Sequence, residues 1–264
     1  MQYCNREKIN KLKYNENELL IVADFDKTMT SGEGESTWGI MSKSGLVDEE
    51  YYKERMKLYE YYRPIEINYT MSYEERCKEM EEWWKKHISL YFKYQITEEQ
   101  IKKAVAGSGL EFRKGAKEFL IQMYEKNVPV IIISAGIGNI IEEFLKKEES
   151  YFDNIFVISN FMKFEDEKSP ITSFSENIIH SLNKNTASIP EDIKEIMDAK
   201  KQILLFGDGL EDSLMVEEQK ESITIKIAFL DKNIEDSLPA FQEKFDIILT
   251  DNASFDDAVR ILKA

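Results

Sequence analysis

Apolar residues along this chain follow two regimes. Six short runs, Leu19 to Phe25, Val128 to Ser134, Asn154 to Ser159, Gln202 to Phe206, Ile223 to Phe229 and Phe245 to Leu249, are close to continuously apolar and of strand length. From residue 108 onward each is followed by a polar or amphipathic stretch, an alternation that predicts βαβ units and a mainly parallel sheet covered on both faces. The fold class read from this is α/β, with a doubly wound, Rossmann-like core whose ligands should sit at the carboxyl ends of the strands.

Residues 33 to 107 break that rhythm. Glu, Lys, Tyr and Met recur there at helical spacing, and Asp48 to Tyr62, Ser72 to Phe92 and Thr97 to Ala106 read as amphipathic helices, the last two opening on a Ser or Thr N-cap followed by an acid at the third position. Glu66 follows Pro64 and Ile65 and is expected just beyond a helix end. The predicted organisation is an N-terminal extension at 1–18, a catalytic core made of 19–32 and 108–264, and an inserted helical cap at 33–107. Glycine-bearing segments at both joins, Ser31-Gly32-Glu33-Gly34 and Ala106-Gly107-Ser108-Gly109, suit hinges.

Composition narrows the function. A formal charge of −15 over 264 residues opposes binding to a nucleic acid polymer, which needs a basic face. An anionic substrate must then be captured locally, by a metal ion, a lysine or helix N-terminal amides. No stretch reaches the roughly 18 apolar residues of a membrane helix, and the N-terminus has no apolar signal core, so the expectation is a cytoplasmic protein without a membrane partner. Cys4 and Cys77 have neither metal-ligand spacing nor the number for a disulfide framework. The chain is read as a monomer or weak oligomer.

Candidate chemistry lies where the apolar runs end. The first run delivers Asp24 and Asp26, two residues apart and therefore on one side of an extended chain. Such a pair is either an acidic turn or a site where Mg²⁺ is held while one carboxylate attacks phosphorus and the other handles a proton. Ser134-Ala135-Gly136-Ile137-Gly138 follows another run, and its hydroxyl and backbone amides suit phosphate oxygens as well as they suit an ordinary glycine-rich turn. Lys184, in a polar segment, would neutralise charge on a transferring phosphoryl group or be one more solvated lysine. Gly207 lets the chain turn after a fourth run and brings Asp208 and Asp212 to the same sheet edge. Oxygen ligands suit Mg²⁺, so Asp24, the Asp26 carbonyl and Asp208 form a partial shell, and Asp212 would orient Lys184 or a metal-bound water.

In order, Asp24-Phe25-Asp26-Lys27-Thr28, Ser134, Lys184 and Gly207-Asp208-x-x-x-Asp212 resemble the four motifs of the haloacid dehalogenase superfamily of phosphohydrolases. Within it, Tyr61-Tyr62-Arg63-Pro64-Ile65-Glu66, Glu82-Trp83-Trp84, Ser134 to Gly138, Ser159 to Phe164, Ile179 to Lys184 and Phe245 to Leu249 look like the cytosolic 5′-nucleotidase type III, or pyrimidine 5′-nucleotidase, family. The resemblance implies that Asp24 is a nucleophile forming an aspartyl-phosphate, and that Asp26 protonates the leaving oxygen and then activates water. It further implies that Thr28, Ser134, Ala135 and Lys184 hold the phosphoryl group, and that Mg²⁺ sits on Asp24, Asp26 and Asp208. Glu66 is implied as a base contact, flanked by Trp83 and Trp84, one of which is expected in the core because neighbours on a helix diverge. An ungapped reading puts His87 where the animal members carry a serine that contacts 7-methylguanine, which weighs against 7-methyl-GMP.

The expected substrate is therefore a small-molecule nucleoside monophosphate, CMP or UMP. Phosphoserine or another small ester, acted on by the same chemistry, is the alternative, since caps decide selectivity. A non-catalytic nucleotide-binding protein is a third.

Overall fold

The computed structural model describes residues 3–12, 14–68, 70–185, 189–217 and 221–263. Its centre is a seven-stranded sheet. The strands are β1 (Tyr3–Cys4), β2 (Leu19–Ala23), β3 (Val130–Ile137), β4 (Ile155–Asn160), β7 (Gln202–Gly207), β8 (Ile223–Leu230) and β9 (Ile247–Thr250), in the order β1-β9-β8-β7-β2-β3-β4. All neighbours pair in parallel except β1, which joins β9 antiparallel. A two-stranded hairpin, β5 (Met162–Lys163) with β6 (Ser173–Phe174), stands apart from the sheet.

Strand periodicity explains why the central runs read as unbroken apolar stretches. Leu19, Ile21 and Ala23 join one core cluster and Leu20 and Val22 the other, so both faces of β2 are covered. Within the N-terminal extension, Tyr3 and Cys4 pair with Ile248 and Ile247, and the short helix α1 (Arg6–Ile9) buries Ile9. Part of the first 18 residues therefore forms the sheet edge.

The helical segment comprises α2 (Thr37–Lys43), α3 (Glu49–Glu66), α4 (Tyr73–Lys93) and α5 (Glu98–Gly107). Capping boxes start α4 at Ser72 with Glu75 and α5 at Thr97 with Gln100. Helix α3 differs from expectation at its end. It continues through Pro64 to Glu66, so Glu66 is the last helical residue and not a post-helical one. Proline in a helix removes one hydrogen bond and crowds the preceding turn. Here α3 packs along α4 with Tyr51, Arg55 and Tyr62 buried, and Arg63 pairs with Glu66 across the proline.

The remaining helices, α6 (Ala116–Glu125), α7 (Gly138–Lys147), α8 (Glu191–Asp198), α9 (Ile234–Lys244) and α10 (Phe255–Lys263), connect or follow the strands. Among the described residues no helix is long and apolar enough to cross a membrane.

Candidate active site

Strand β2 lies between β7 and β3, and it ends level with Phe206 on one side and Ile132 on the other. Asp24, the next residue, is anchored by its amide donating to the Phe206 carbonyl at 3.0 Å. Asp208 leaves the end of β7, and β3 runs on past Ala23 through Ser134. Lys184 comes from the long connection between β6 and α8. Three strand ends and one loop thus meet at one rim.

There Lys184 Nζ sits 2.5 Å from Asp24 Oδ1 and 2.6 Å from Asp212 Oδ1, with all three side chains buried. Asp212 is fully engaged: its Oδ2 accepts from the Asp208 and Gly209 amides at 3.0 and 2.8 Å. Asp24, Asp208 and Asp212 offer oxygens within 4.8 Å of one another. Three carboxylates around one ammonium leave an excess of negative charge. Burial, opposed by Lys184, holds the Asp24 carboxyl well above its ordinary range, and burial with the neighbouring Asp212 pushes Asp208 up to about 7. Against the lowering effect of burial, Asp212 and Asp24 push the Lys184 ammonium up. An all-oxygen, over-negative cluster of this kind fits a hard divalent cation. Asp212 spends both oxygens on Lys184 and backbone amides, which leaves Asp24 and Asp208 as the freer donors.

Asp26 is turned toward α2. Its carboxylate accepts from the Thr37 amide at 2.9 and 3.1 Å and from Thr37 Oγ1 at 2.9 Å, while Thr37 Oγ1 itself accepts from the Ile137 amide at 3.1 Å. Burial raises Asp26 to about 6, against the lowering effect of Thr37. Between them Lys27 has φ +67°, which reverses the chain direction. Arg113 braces this turn from beneath: its guanidinium donates to the carbonyls of Lys27, Thr28 and Ala253 and pairs with Asp231 at 2.8 Å. Neither Thr37 nor Arg113 stood out in the sequence, because each is defined by partners distant along the chain.

A cavity of about 1050 Å³ opens above this cluster. Asp24, Asp26, Ser134, Ala135, Lys184, Asp208 and Asp212 line its floor, and Glu66, Trp83, Trp84 and His87 line its wall. Ser134 Oγ accepts from the Gly136 amide at 3.1 Å. Gly136 has no room for a side chain, since a Cβ there would lie 2.2 Å from Thr37 Oγ1. The Ala135 carbonyl collects three donors, the indole N–H groups of Trp38 and Trp84 at 2.9 Å each and Asn160 Nδ2 at 3.0 Å, so the core loop and the helical segment meet there.

One placement differs from expectation. Thr28 is not brought to the cavity: it is fully buried, its hydroxyl lacks a partner among the described residues, and only its backbone joins the Arg113 brace. Trp83 and Trp84 are both buried, both belong to the core cluster and both line the wall. Trp83 stacks on Tyr62 at 5.7 Å and 11°, and Trp84 meets Trp83 edge-on at 5.1 Å. Glu66 is nearly enclosed and accepts from Arg63 Nη1. His87 is buried against Trp38, ring centroids 4.3 Å apart, and burial together with Arg55 holds its imidazole well below the usual histidine range.

This sheet order, with carboxylates at the ends of β2 and β7 and a lysine between them, defines a phosphatase of the haloacid dehalogenase type. A substrate-bound phosphoserine phosphatase superposes with a TM-score of 0.59 at 19% identity, covering 94% of this chain and 99% of that one, a likeness of fold. The likeness to cytosolic 5′-nucleotidase IIIB bound to cytidine is closer, with a TM-score of 0.82 and 27% identity over 97% of this chain and 89% of that one. The family model described as pyrimidine 5′-nucleotidase (UMPH-1) matches residues 24–264. The chain belongs to the pyrimidine 5′-nucleotidase family, and it is a 5′-nucleotidase, a phosphoric monoester hydrolase. Curated relatives include 7-methylguanosine phosphate-specific 5′-nucleotidase A of Xenopus laevis, 32% identical over 98% of this chain and 91% of that protein, and the 7-methylguanosine phosphate-specific 5′-nucleotidase of Homo sapiens, 31% identical over 90% and 81%.

Proposed function

We propose that the protein hydrolyses pyrimidine nucleoside 5′-monophosphates, CMP and UMP, to nucleoside and phosphate through an aspartyl-phosphate on Asp24, with Mg²⁺ as cofactor and residues 33–107 acting as a cap. The observation that carries this reading is the convergence of Asp24, Lys184, Asp208 and Asp212 on the floor of a cavity whose wall carries tryptophans and a glutamate. The family description and the cytidine-bound relative support a pyrimidine base.

Asp24 and Asp208, with the Asp26 carbonyl, would hold Mg²⁺, which when bound supplies charge neutralisation to the phosphoryl oxygens. An Asp24 carboxylate oxygen forms the bond to phosphorus as the bond from phosphorus to O5′ breaks, and Asp26, protonated, gives its proton to O5′. Water then attacks phosphorus, Asp26 takes its proton, and Asp24 is released with inorganic phosphate. Lys184 lies where negative charge grows, and Asp212 keeps it there. Ser134 and Ala135 form the phosphate-side loop. Glu66 accepts from the exocyclic amine of cytosine once Arg63 yields or shares it. The indole faces of Trp83 and Trp84 supply base stacking, worth about 1–3 kcal/mol per base.

A second substrate reading, 7-methyl-GMP, is favoured by the names of the curated relatives. Phosphate release from CMP, UMP, GMP, 7-methyl-GMP and phosphoserine, with Mg²⁺ present or chelated, separates the readings. CMP and UMP are expected to lead, with activity lost on chelation. A lead by 7-methyl-GMP replaces the pyrimidine assignment, and a lead by phosphoserine overturns the nucleotide reading.

A further inference from the structure

Helix α3 turns Arg55, Tyr59, Arg63 and Glu66 toward the cavity, at the i, i+4, i+8 and i+11 spacing of one helix face. Arg55 is the unusual member. It is 9% exposed, its Nε is sealed from solvent without a hydrogen-bond partner, and its only polar contact among the described residues is Nη1 to Met56 Sδ at 3.6 Å. No carboxylate among the described residues lies within ion-pair distance of it. Glu35 approaches across Gly39, but that carboxylate is paired with Lys43 at 2.5 Å. A buried guanidinium without an anion or a full set of acceptors is costly, and such groups persist where a ligand completes them.

A second unpaired atom stands close by. His87 is 6% exposed and lines the same cavity, and its Nε2 is also sealed without a partner among the described residues. Trp38 connects the two: its ring lies against His87, and the residue after it, Gly39, would place a Cβ 3.5 Å from Arg55 Nη2. Bulk at Gly39 would therefore crowd the guanidinium. At the other end of the stripe Glu66 offers an acceptor.

We propose that Arg55, with His87 beside it, binds a ring carbonyl oxygen of the base, and so selects nucleotides whose base carries an oxo group over AMP. The proposal rests on the nucleotidase reading above and adds the residue that sets its specificity. Cytosine, uracil and guanine each present a carbonyl oxygen, a pure acceptor matched to guanidinium donors, whereas adenine has none. Glu66 and Arg55 then read opposite polarities, an amine or imide N–H at one end and an oxygen at the other. A nucleotide without the oxygen leaves Arg55 desolvated and unsatisfied, the situation in which a hydrogen-bonding site discriminates most strongly.

The test is steady-state kinetics of phosphate release from CMP, UMP, AMP and ribose 5-phosphate, which has no base, by wild type, Arg55→Gln, Arg55→Lys and His87→Phe, each checked for a cooperative melting transition. Wild type is expected to favour CMP and UMP over AMP. Arg55→Gln should lower kcat/KM for CMP and UMP about 10- to 100-fold, mainly through KM, the range for a hydrogen bond to a charged group. Its AMP and ribose 5-phosphate values should change less than about twofold, because those substrates never used the guanidinium. Arg55→Lys should recover part of the loss, and His87→Phe should show a smaller loss with the same substrate pattern. Equal losses on ribose 5-phosphate and CMP, or a wild type that takes AMP as well as UMP, overturn the assignment of Arg55 while leaving the nucleotidase reading intact. Turnover of ribose 5-phosphate by wild type no slower than that of any nucleotide overturns the reading itself. If Arg55→Gln fails to fold, the wild-type preference and the His87→Phe pattern still decide.

Discussion

Lys184 Nζ bridges Asp24 Oδ1 and Asp212 Oδ1 at 2.5 and 2.6 Å, joining side chains that are 160 residues apart and 28 residues apart along the chain. The bridge holds a would-be nucleophile beside a cation that is itself fixed by a carboxylate anchored to two backbone amides. Replacing the lysine removes the charge while leaving two buried acids facing each other. Lys184→Met should cut phosphate release at least about 100-fold, the scale for loss of one preorganised electrostatic group. Single-turnover rates should fall with it, which separates lost chemistry from slow product release.

Thr37 reaches Asp26 from α2 with both its amide and its hydroxyl, and it ties the same hydroxyl to the amide of Ile137 at the end of β3. Thr37→Val keeps the amide contact and deletes the hydroxyl. We expect kcat to fall about 10-fold, the lower end of the range for one hydrogen bond to a charged group because the amide contact remains, with little change in KM. Gly136→Ala should produce the same class of defect, because its new Cβ would land 2.2 Å from that hydroxyl.

Arg113 supports the turn carrying Asp24 and Asp26 without lining the cavity. It is 3% exposed, donates to three carbonyls, pairs with Asp231 and lies over the Phe229 ring at 4.2 Å. Arg113→Met should cost about 3–5 kcal/mol of unfolding free energy, since Asp231 and the carbonyls lose their partner in a buried setting. Urea titration monitored by circular dichroism measures that loss directly. A change below about 1 kcal/mol would show that the brace is dispensable.

His180 gives the stability of the fold a pH dependence. The ring is buried, its Nδ1 accepts from the Leu182 amide at 3.2 Å, and burial lowers its pKa from 6.5 to about 4. Between those two values the unfolded chain takes up a proton that the folded chain refuses. Stability should therefore fall as pH drops from about 6.5 toward about 4, by up to about 1.4 kcal/mol per pH unit from this group, and the contribution should be flat above and below that window. Aspartates with raised pKa values act in the opposite sense, so the informative quantity is the difference between wild type and His180→Asn. That difference should turn against wild type across the window, and a constant difference from pH 7 to pH 4.5 would rule the account out.

Much of the fold was legible because its signals are local. The apolar runs that form β2, β7 and β8 needed only their neighbours to be recognised, as did the Ser72 and Thr97 capping boxes. The acids at the strand ends were visible for a related reason: a parallel sheet gathers the carboxyl ends of its strands at one edge, and here β2 and β7 are neighbours. What stayed hidden depends on distant partners. Pro64 marked a helix end locally, yet α3 carries on through it because α4 packs alongside. Thr28 was implied as a phosphate ligand by the family resemblance alone, and beyond the turn at Lys27 its side chain is fully buried. Arg55, Arg113 and Thr37 are ordinary in composition and acquire meaning only from what they face. Tyr3 and Cys4 lie in a polar leader, and it is the open edge of β9 that makes them a strand.

The claim on which the functional account depends is that Asp24 carries the phosphoryl group between substrate and water. Acid quenching of the enzyme during turnover of CMP with Mg²⁺, followed by borohydride reduction and peptide mass spectrometry, tests it directly. The expected result is reduction confined to Asp24, absent without CMP and absent in Asp24→Asn. Steady phosphate release from CMP with Asp24 unmodified in every quench, or with the modification on Asp26 or Asp208, would contradict it.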